Sequence, residues 1–368
     1  MRKTAAWPLA WIYAILIVYA SLYPFDNWRF QGIAPWAFLT APLPQYWTGF
    51  DVLSNVLGYA PFGFLLALAL HRTHRLKPAI VLATLAAAGL SFCMESMQMF
   101  LPVRVPSNLD MALNVGGACI GAVVARGLAW VGLMARWSRF RDRWFVPEAS
   151  GALALLALWP LALLFPAPVP FGLGQVFERL ETTLTDWLQD TPWLEWWPVR
   201  EVELEPLLPV TEMLCVALGL LLPCLLIYGV VRRWQQRLAV AGIWLVLGLL
   251  ASALSAALTY GPAHTWGWVS GEVLAGVVLA LVMAGVMLWS PARLCWVLAL
   301  AALMLQLSLL NDASADVYFA MTLQTWEQGR FIRFHGLIQW LGWLWPFAAL
   351  VYVLMRVAGR EQTARSGR

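Results

Sequence analysis

The sequence predicts an all-α protein, a polytopic integral membrane helix bundle of about ten transmembrane helices with both termini in the cytoplasm. Three observations carry that expectation. Of 368 residues 61% are apolar, and only 24 basic and 20 acidic side chains occur. Apolar runs of about 20 residues recur, each long enough to cross roughly 30 Å of hydrocarbon. The charges, finally, segregate by loop. A mean hydropathy of +0.70 excludes a water-soluble globule as well as fibrous and disordered chains.

Apolar windows bounded by charge, proline and aromatic residues place spans at 7–23, 52–70, 78–101, 109–130, 149–166, 210–231, 238–260, 267–289, 293–311 and 335–355. The first follows Arg2 and Lys3, lacks a small-x-small cleavage site and ends in aromatics, so it reads as an uncleaved span. An even count puts both termini on one face of the membrane. That face collects 18 of the 24 basic residues, among them Arg72, Arg75, Lys77, Arg126, the run Arg136 to Arg143, Arg232, Arg233 and Arg237, against only Asp142, Glu148 and Glu361. The bias of Lys and Arg toward cytoplasmic loops identifies it as the cytoplasm. Adding or dropping one span would reverse every later loop and destroy the segregation. The net charge of +4 therefore reflects topology and does not imply nucleic acid.

Three long segments fall outside. Residues 24–51 carry Trp28, Trp36 and Trp47 and few charges. The acidic segment 167–209 contains apolar Val176, Phe177, Leu180, Leu184, Trp187 and Leu188 at helical spacing, which predicts an amphipathic helix over 174–189 resting on the outer leaflet, with Trp193, Trp196 and Trp197 at headgroup level. Residues 312–334 mix aromatics with Arg330 and Arg333, as an interfacial helix feeding the last span would. The domain organisation is then four spans over 1–146, a fifth span with the acidic segment over 147–209, and five spans over 210–368. Setting 90–122 against residues 160 further on pairs Pro102 with Pro262 and Gly116 with Gly276 but puts Ser255 and Ser270 at the carboxylate positions, so the C-terminal domain is either unrelated or a degenerate repeat. The five cysteines lie in apolar runs without CxxC or Cys/His spacing and read as packing residues, with neither a metal site nor a cofactor indicated.

Spans two to four contain ionisable and amide side chains, each costly in the membrane without a partner. Asp51 and Asn55 are four apart and share a helix face, followed by Gly58, Pro61 and Gly63. Glu95 and Gln98 are three apart, Glu95 roughly 9 Å below Leu101, with Ser91 one turn deeper. Arg104 is the sole basic residue of the loop 102–108 and can reach down toward Glu95. Asp110 and Asn114 are again four apart, followed by Gly116, Gly117 and Gly121, which permit close helix packing. Short loops make these spans neighbours, so the seven residues form one cluster at the outer leaflet. The competing reading is that they only fix the packing, as a buried ion pair and helix-terminal hydrogen bonds. Glu212, His264 and Glu272, at helix ends in the second half, read as helix-terminal solvation.

The order Asp51-x3-Asn55 with Gly58-Tyr59-x-Pro61-Phe62-Gly63, then Glu95-x2-Gln98-x3-Pro102-x-Arg104, then Asp110-x3-Asn114-x-Gly116-Gly117 resembles the VanZ-like family of bacterial membrane proteins over about residues 10–130. The resemblance implies an envelope-facing protein of the bacterial cytoplasmic membrane. The family's founding member is linked to low-level teicoplanin resistance; the family has no agreed reaction.

Two roles follow for the cluster. Arg104 can hold a phosphate or carboxylate while Asn55, Gln98 and Asn114 donate hydrogen bonds, with Asp51 beside them, which would bind an anionic or lipid-linked envelope substrate. For catalysis, Glu95 or Asp110 would serve as general base. No triad, phosphate loop or two-metal site accompanies them. Alternatives from other classes are a flippase of envelope lipids, weakened by the lack of polar residues in the cytoplasmic halves of spans two to four, and a non-catalytic membrane scaffold.

Overall fold

The computed structural model describes residues 6–23, 25–74, 78–189, 191–196, 207–313 and 332–366. Arg2, Lys3, Arg75, Lys77, Asp190, Trp197, Arg200, Glu201, Glu203, Glu205, Arg368 and most of the expected interfacial helix 312–334, with Arg330, lie outside the described residues. The chain forms α1 (Ala6–Leu22), α2 (Gly49–His74), α3 (Ala79–Gln98), α4 (Asn108–Trp130), α5 (Leu133–Trp144), α6 (Ser150–Ala162), α7 (Phe177–Leu188), α8 (Pro209–Val230), α9 (Trp234–Tyr260), α10 (Gly271–Met287), α11 (Ala292–Asn311) and α12 (Ile332–Ser366). No strand occurs among the described residues beyond an isolated bridge between Phe145 and Val231.

Each of the ten expected spans coincides with a helix, and seven of them (α2, α3, α4, α8, α9, α11 and α12) are long and apolar enough to cross a membrane. The apolar helices α1, α6 and α10 are shorter, at 17, 13 and 17 residues. The amphipathic helix expected over 174–189 forms as α7. Helix α5 falls in what reads as a basic loop; it buries no residue and ends in Arg141 and Arg143, which suit the negative end of a helix dipole.

Two compact units divide the chain, residues 1–140 and 141–368. In the first, α2 and α4 form the most extensive pair, α3 packs on both, and α1 lies on α2 and α3. Small residues set the α2–α4 distance. A Cβ on Gly117 would run into the Val56 carbonyl, one on Gly121 into that of Ala60, and one on Gly63 into that of Ala118. Backbone thus meets backbone, the close approach that small-xxx-small spacing permits in a membrane. A Cβ on Gly116 or Gly58 would meet nothing within 4 Å.

In the second unit α8 is the central helix: 89% of its apolar stretch is buried, against 33% for α9. It packs on α10 and α11, with α6 and α9 beside it and α12 against α6 and α11. Arg237, itself buried, donates to Val231 O at 3.1 Å, Leu288 O at 3.0 Å and Ser290 O at 2.7 Å. It thereby closes the C-terminal ends of α8 and α10 with a cation, as the helix dipole favours.

Helix α6 stops at Ala162, short of the span expected over 149–166. Pro166, Pro168 and Pro170 lack backbone donors and push the residues before them out of the helical region. The chain that follows, expected to begin an exposed segment at 167, instead runs irregularly through the interior: Leu163, Phe165, Val169, Phe171, Leu173 and Val176 are buried. Irregular backbone buried inside a helix bundle needs internal partners. Ser255 donates to Leu164 O at 2.9 Å, Gln306 to Phe171 O at 3.2 Å and Gly174 N to Gly342 O at 3.1 Å. Asn311 accepts from Val176 N and Phe177 N at 2.9 and 3.0 Å and donates to Gly174 O and Leu307 O at 3.1 and 2.8 Å. Phe171 (φ +63°) and Gly174 (φ +95°) make the left-handed turns this path requires.

Candidate functional site

Three helices of the first unit each offer a pair of polar residues four apart, and therefore on one face. They are Asn55 and Tyr59 on α2, Ser91 and Glu95 on α3, and Asp110 and Asn114 on α4. The pairs converge. Asn55 Nδ2 donates to Asp110 Oδ1 at 2.8 Å, and Asn114 Nδ2 donates to Ser91 Oγ at 3.0 Å. Tyr59 is buried with Ser91 and Glu95 as its polar neighbours. Ser91 is fully buried, Glu95 4% exposed and Asn114 5% exposed, while Asn55, Asp51 and Asp110 are half-buried.

Glu95 Oε2 accepts the backbone N–H of Ser107 at 2.9 Å. Ser107 in turn caps α4, its hydroxyl oxygen accepting from Leu109 N at 3.1 Å and Asp110 N at 3.4 Å. The carboxylate therefore fixes the turn from which Asp110 and Asn114 project, a charge-assisted bond at a helix N-terminus. Asp51 and Thr48 form a reciprocal box at the start of α2: Asp51 Oδ2 accepts from Thr48 N and Oγ1 at 2.9 and 2.8 Å, and Thr48 Oγ1 accepts from Asp51 N at 3.2 Å.

Gln98 and Arg104 reach the C-terminal end of α1. Gln98 Nε2 donates to Ser21 O at 3.0 Å; Arg104 donates through Nε to Tyr23 O at 3.2 Å and through Nη2 to Tyr23 O at 2.6 Å and Ala20 O at 3.2 Å. Carbonyls that a helix end leaves unpaired are satisfied by two side chains from elsewhere. The 25–48 connection is tied across this same end. Arg29 N donates to Phe100 O at 2.9 Å, Gln31 Nε2 to Met99 O at 2.8 Å and Asn108 Nδ2 to Ala41 O at 2.7 Å, and the buried Phe38 stands 6.0 Å from Phe92, ring to ring.

All seven expected residues thus lie at one end of the first unit, in two groups: Asn55, Glu95, Asp110 and Asn114 inside the α2–α3–α4 interface with Asp51 at its edge, and Gln98 and Arg104 on α1. Sequence reasoning passed over Tyr59 and Ser107. Tyr59 carried a usable signal, since it stands one turn from Asn55 on the same face. Ser107 carried a weaker one as the residue opening a helix before Asp110. Chemically the interface can accept protons or hydrogen bonds at carboxylate and amide oxygens. In the second unit His264 Nδ1 lies 3.1 Å from Tyr260 O, and Glu212 and Glu272 stand in the first turns of α8 and α10, as residues at helix ends do.

The sequence profile of the VanZ/LLP1 family matches residues 9–131, the stretch that carries α1 to α4 and every residue of the cluster. No curated protein and no solved structure matches the chain.

Proposed function

We propose, with the VanZ-family domain over residues 9–131 as premise, that this protein recognises the polar headgroup of an envelope lipid or lipid-linked precursor at the outer leaflet of the bacterial cytoplasmic membrane. The observation that carries the reading is the convergence of three polar i, i+4 pairs inside an otherwise apolar helix interface, an expensive arrangement in a membrane. The segregation of basic residues supports a ten-span topology with both termini in the cytoplasm, in which that end of the first unit would face outward. Should the bound molecule be modified, Glu95 and Asp110 are the groups able to take a proton. An effect on teicoplanin-type susceptibility follows from the same reading, through altered supply of envelope precursor.

The test is a lipid analysis of a deletion strain complemented with wild type, Glu95→Gln or Arg104→Ala at equal abundance. An envelope lipid that accumulates or disappears in the deletion and point variants alike identifies the ligand. Unchanged lipids, with full complementation by Glu95→Gln, would sink the proposal in favour of a scaffold.

A further inference from the structure

We infer that the part of the ligand entering the α2–α3–α4 interface is a hydrogen-bond donor, an O–H or N–H group, and not the phosphate or carboxylate that Arg104 and the amides could clamp; this rests on the headgroup-binding reading above. Each amide and guanidinium group that anion recognition would use already makes a bond to a protein oxygen. Asn55 Nδ2 serves Asp110, Asn114 Nδ2 serves Ser91, Gln98 Nε2 serves Ser21 O, and Arg104 serves Ala20 O and Tyr23 O.

What the interface leaves without a partner is the Tyr59 hydroxyl, which can donate or accept, and one oxygen that can only accept. Asn114 is 5% exposed, its amide nitrogen is committed to Ser91, and its Oδ1 is buried without a hydrogen-bond partner. A buried polar atom in that condition costs on the order of 1–3 kcal/mol, which a ligand donor would relieve. Its surroundings agree: Asp110 lies one turn above it on the same face and Glu95 comes from α3, whereas Arg104 is turned to the end of α1. An anionic oxygen brought to this place would meet acceptors and like charge. A sugar hydroxyl or an ethanolamine ammonium would meet neither difficulty.

The measurement is lipid titration of the purified full-length chain by native mass spectrometry, with three lipids of identical acyl chains: phosphatidic acid, phosphatidylethanolamine and monoglucosyl diacylglycerol. One of the two donor lipids is expected to bind at least about 5-fold tighter than phosphatidic acid, and Asn114→Ala to shrink that margin about 3- to 10-fold, the worth of one hydrogen bond. Which donor lipid wins separates ammonium from hydroxyl. Tightest binding of phosphatidic acid overturns this inference and leaves the headgroup reading standing. A margin untouched by Asn114→Ala overturns it too, since water then serves Oδ1. Equal binding of all three lipids, indifferent to every variant, overturns both. If Asn114→Ala does not fold, Asn114→Leu decides: it keeps the volume and removes Oδ1, and an unchanged donor-lipid margin in that variant overturns the inference.

Discussion

Asn55 on α2 and Asp110 on α4 stand 55 positions apart and share a hydrogen bond of 2.8 Å, the side-chain clasp between the two most extensively packed helices of the first unit. The backbones behind them are in direct contact through Gly117 and Val56. Polar pairing and close packing therefore act on the same interface, and they can be taken apart by mutation.

Asn55→Ala should destabilise the first unit by about 1–2 kcal/mol, because it removes the side-chain bond that joins α2 to α4. Asp110→Asn should cost less, its amide oxygen still accepting from Asn55. Thermal unfolding of the full chain in detergent checks the order; equal losses would mean that the clasp is not what the two positions share.

Gly117→Leu and Gly121→Leu should abolish accumulation in the membrane, since their side chains would have to pass through the carbonyls of Val56 and Ala60. Gly116→Leu, next in sequence but facing open space, should accumulate normally. Immunoblots of membrane fractions decide it, and a defect of the same size at Gly116 would refute the packing account.

Arg104→Ala should loosen α1, because the carbonyls of Ala20 and Tyr23 lose their donor, at a cost of about 1–2 kcal/mol. Arg104→Lys should recover only part of it, a single ammonium being a poorer match than the guanidinium fork for two carbonyls. Protease sensitivity near residues 20–25 reports on this directly. Glu95→Gln is the cleaner probe of function, as its amide oxygen can still accept from Ser107 N.

Asn311→Leu should be the most damaging single change outside the first unit. Its near-isosteric side chain preserves volume while withdrawing all four bonds to residues 174, 176, 177 and 307. A loss of at least about 2 kcal/mol is expected, read as a lowered unfolding midpoint; a midpoint within a degree of wild type would show that the irregular segment does not depend on it.

The helices were legible because their signal is local. Apolar runs of fixed length located every span helix, and the face shared by Val176, Phe177, Leu180 and Leu184 located α7. The cluster was legible because i, i+4 spacing states which side chains share a face, which is how Asp110 and Asn114 were paired. What spacing does not state is the partner across an interface. Nothing in the sequence says that Gln98 and Arg104 turn to α1, because the carbonyls they meet belong to backbone and carry no residue signature. Nor could the burial of residues 163–176 be read: three prolines announce the end of α6, but the donors that allow irregular chain inside the bundle come from Ser255, Gln306 and Asn311, far along the sequence.

That last dependence reaches into biogenesis. Asn311 follows Val176 by 135 residues, so for the time taken to synthesise and insert α8, α9, α10 and α11 the amide of Val176 lacks its acceptor. A 13-residue helix with Pro160 inside it and three more prolines beyond its end is also a weak insertion signal by itself. The segment is therefore secured late, when α11 brings Asn311 and α12 then adds the Gly342 carbonyl that Gly174 N meets. Nascent chains stalled before residue 311 should expose 163–176 to protease, whereas those released after it should not, and this interval is when an insertase or quality-control protease would find the protein.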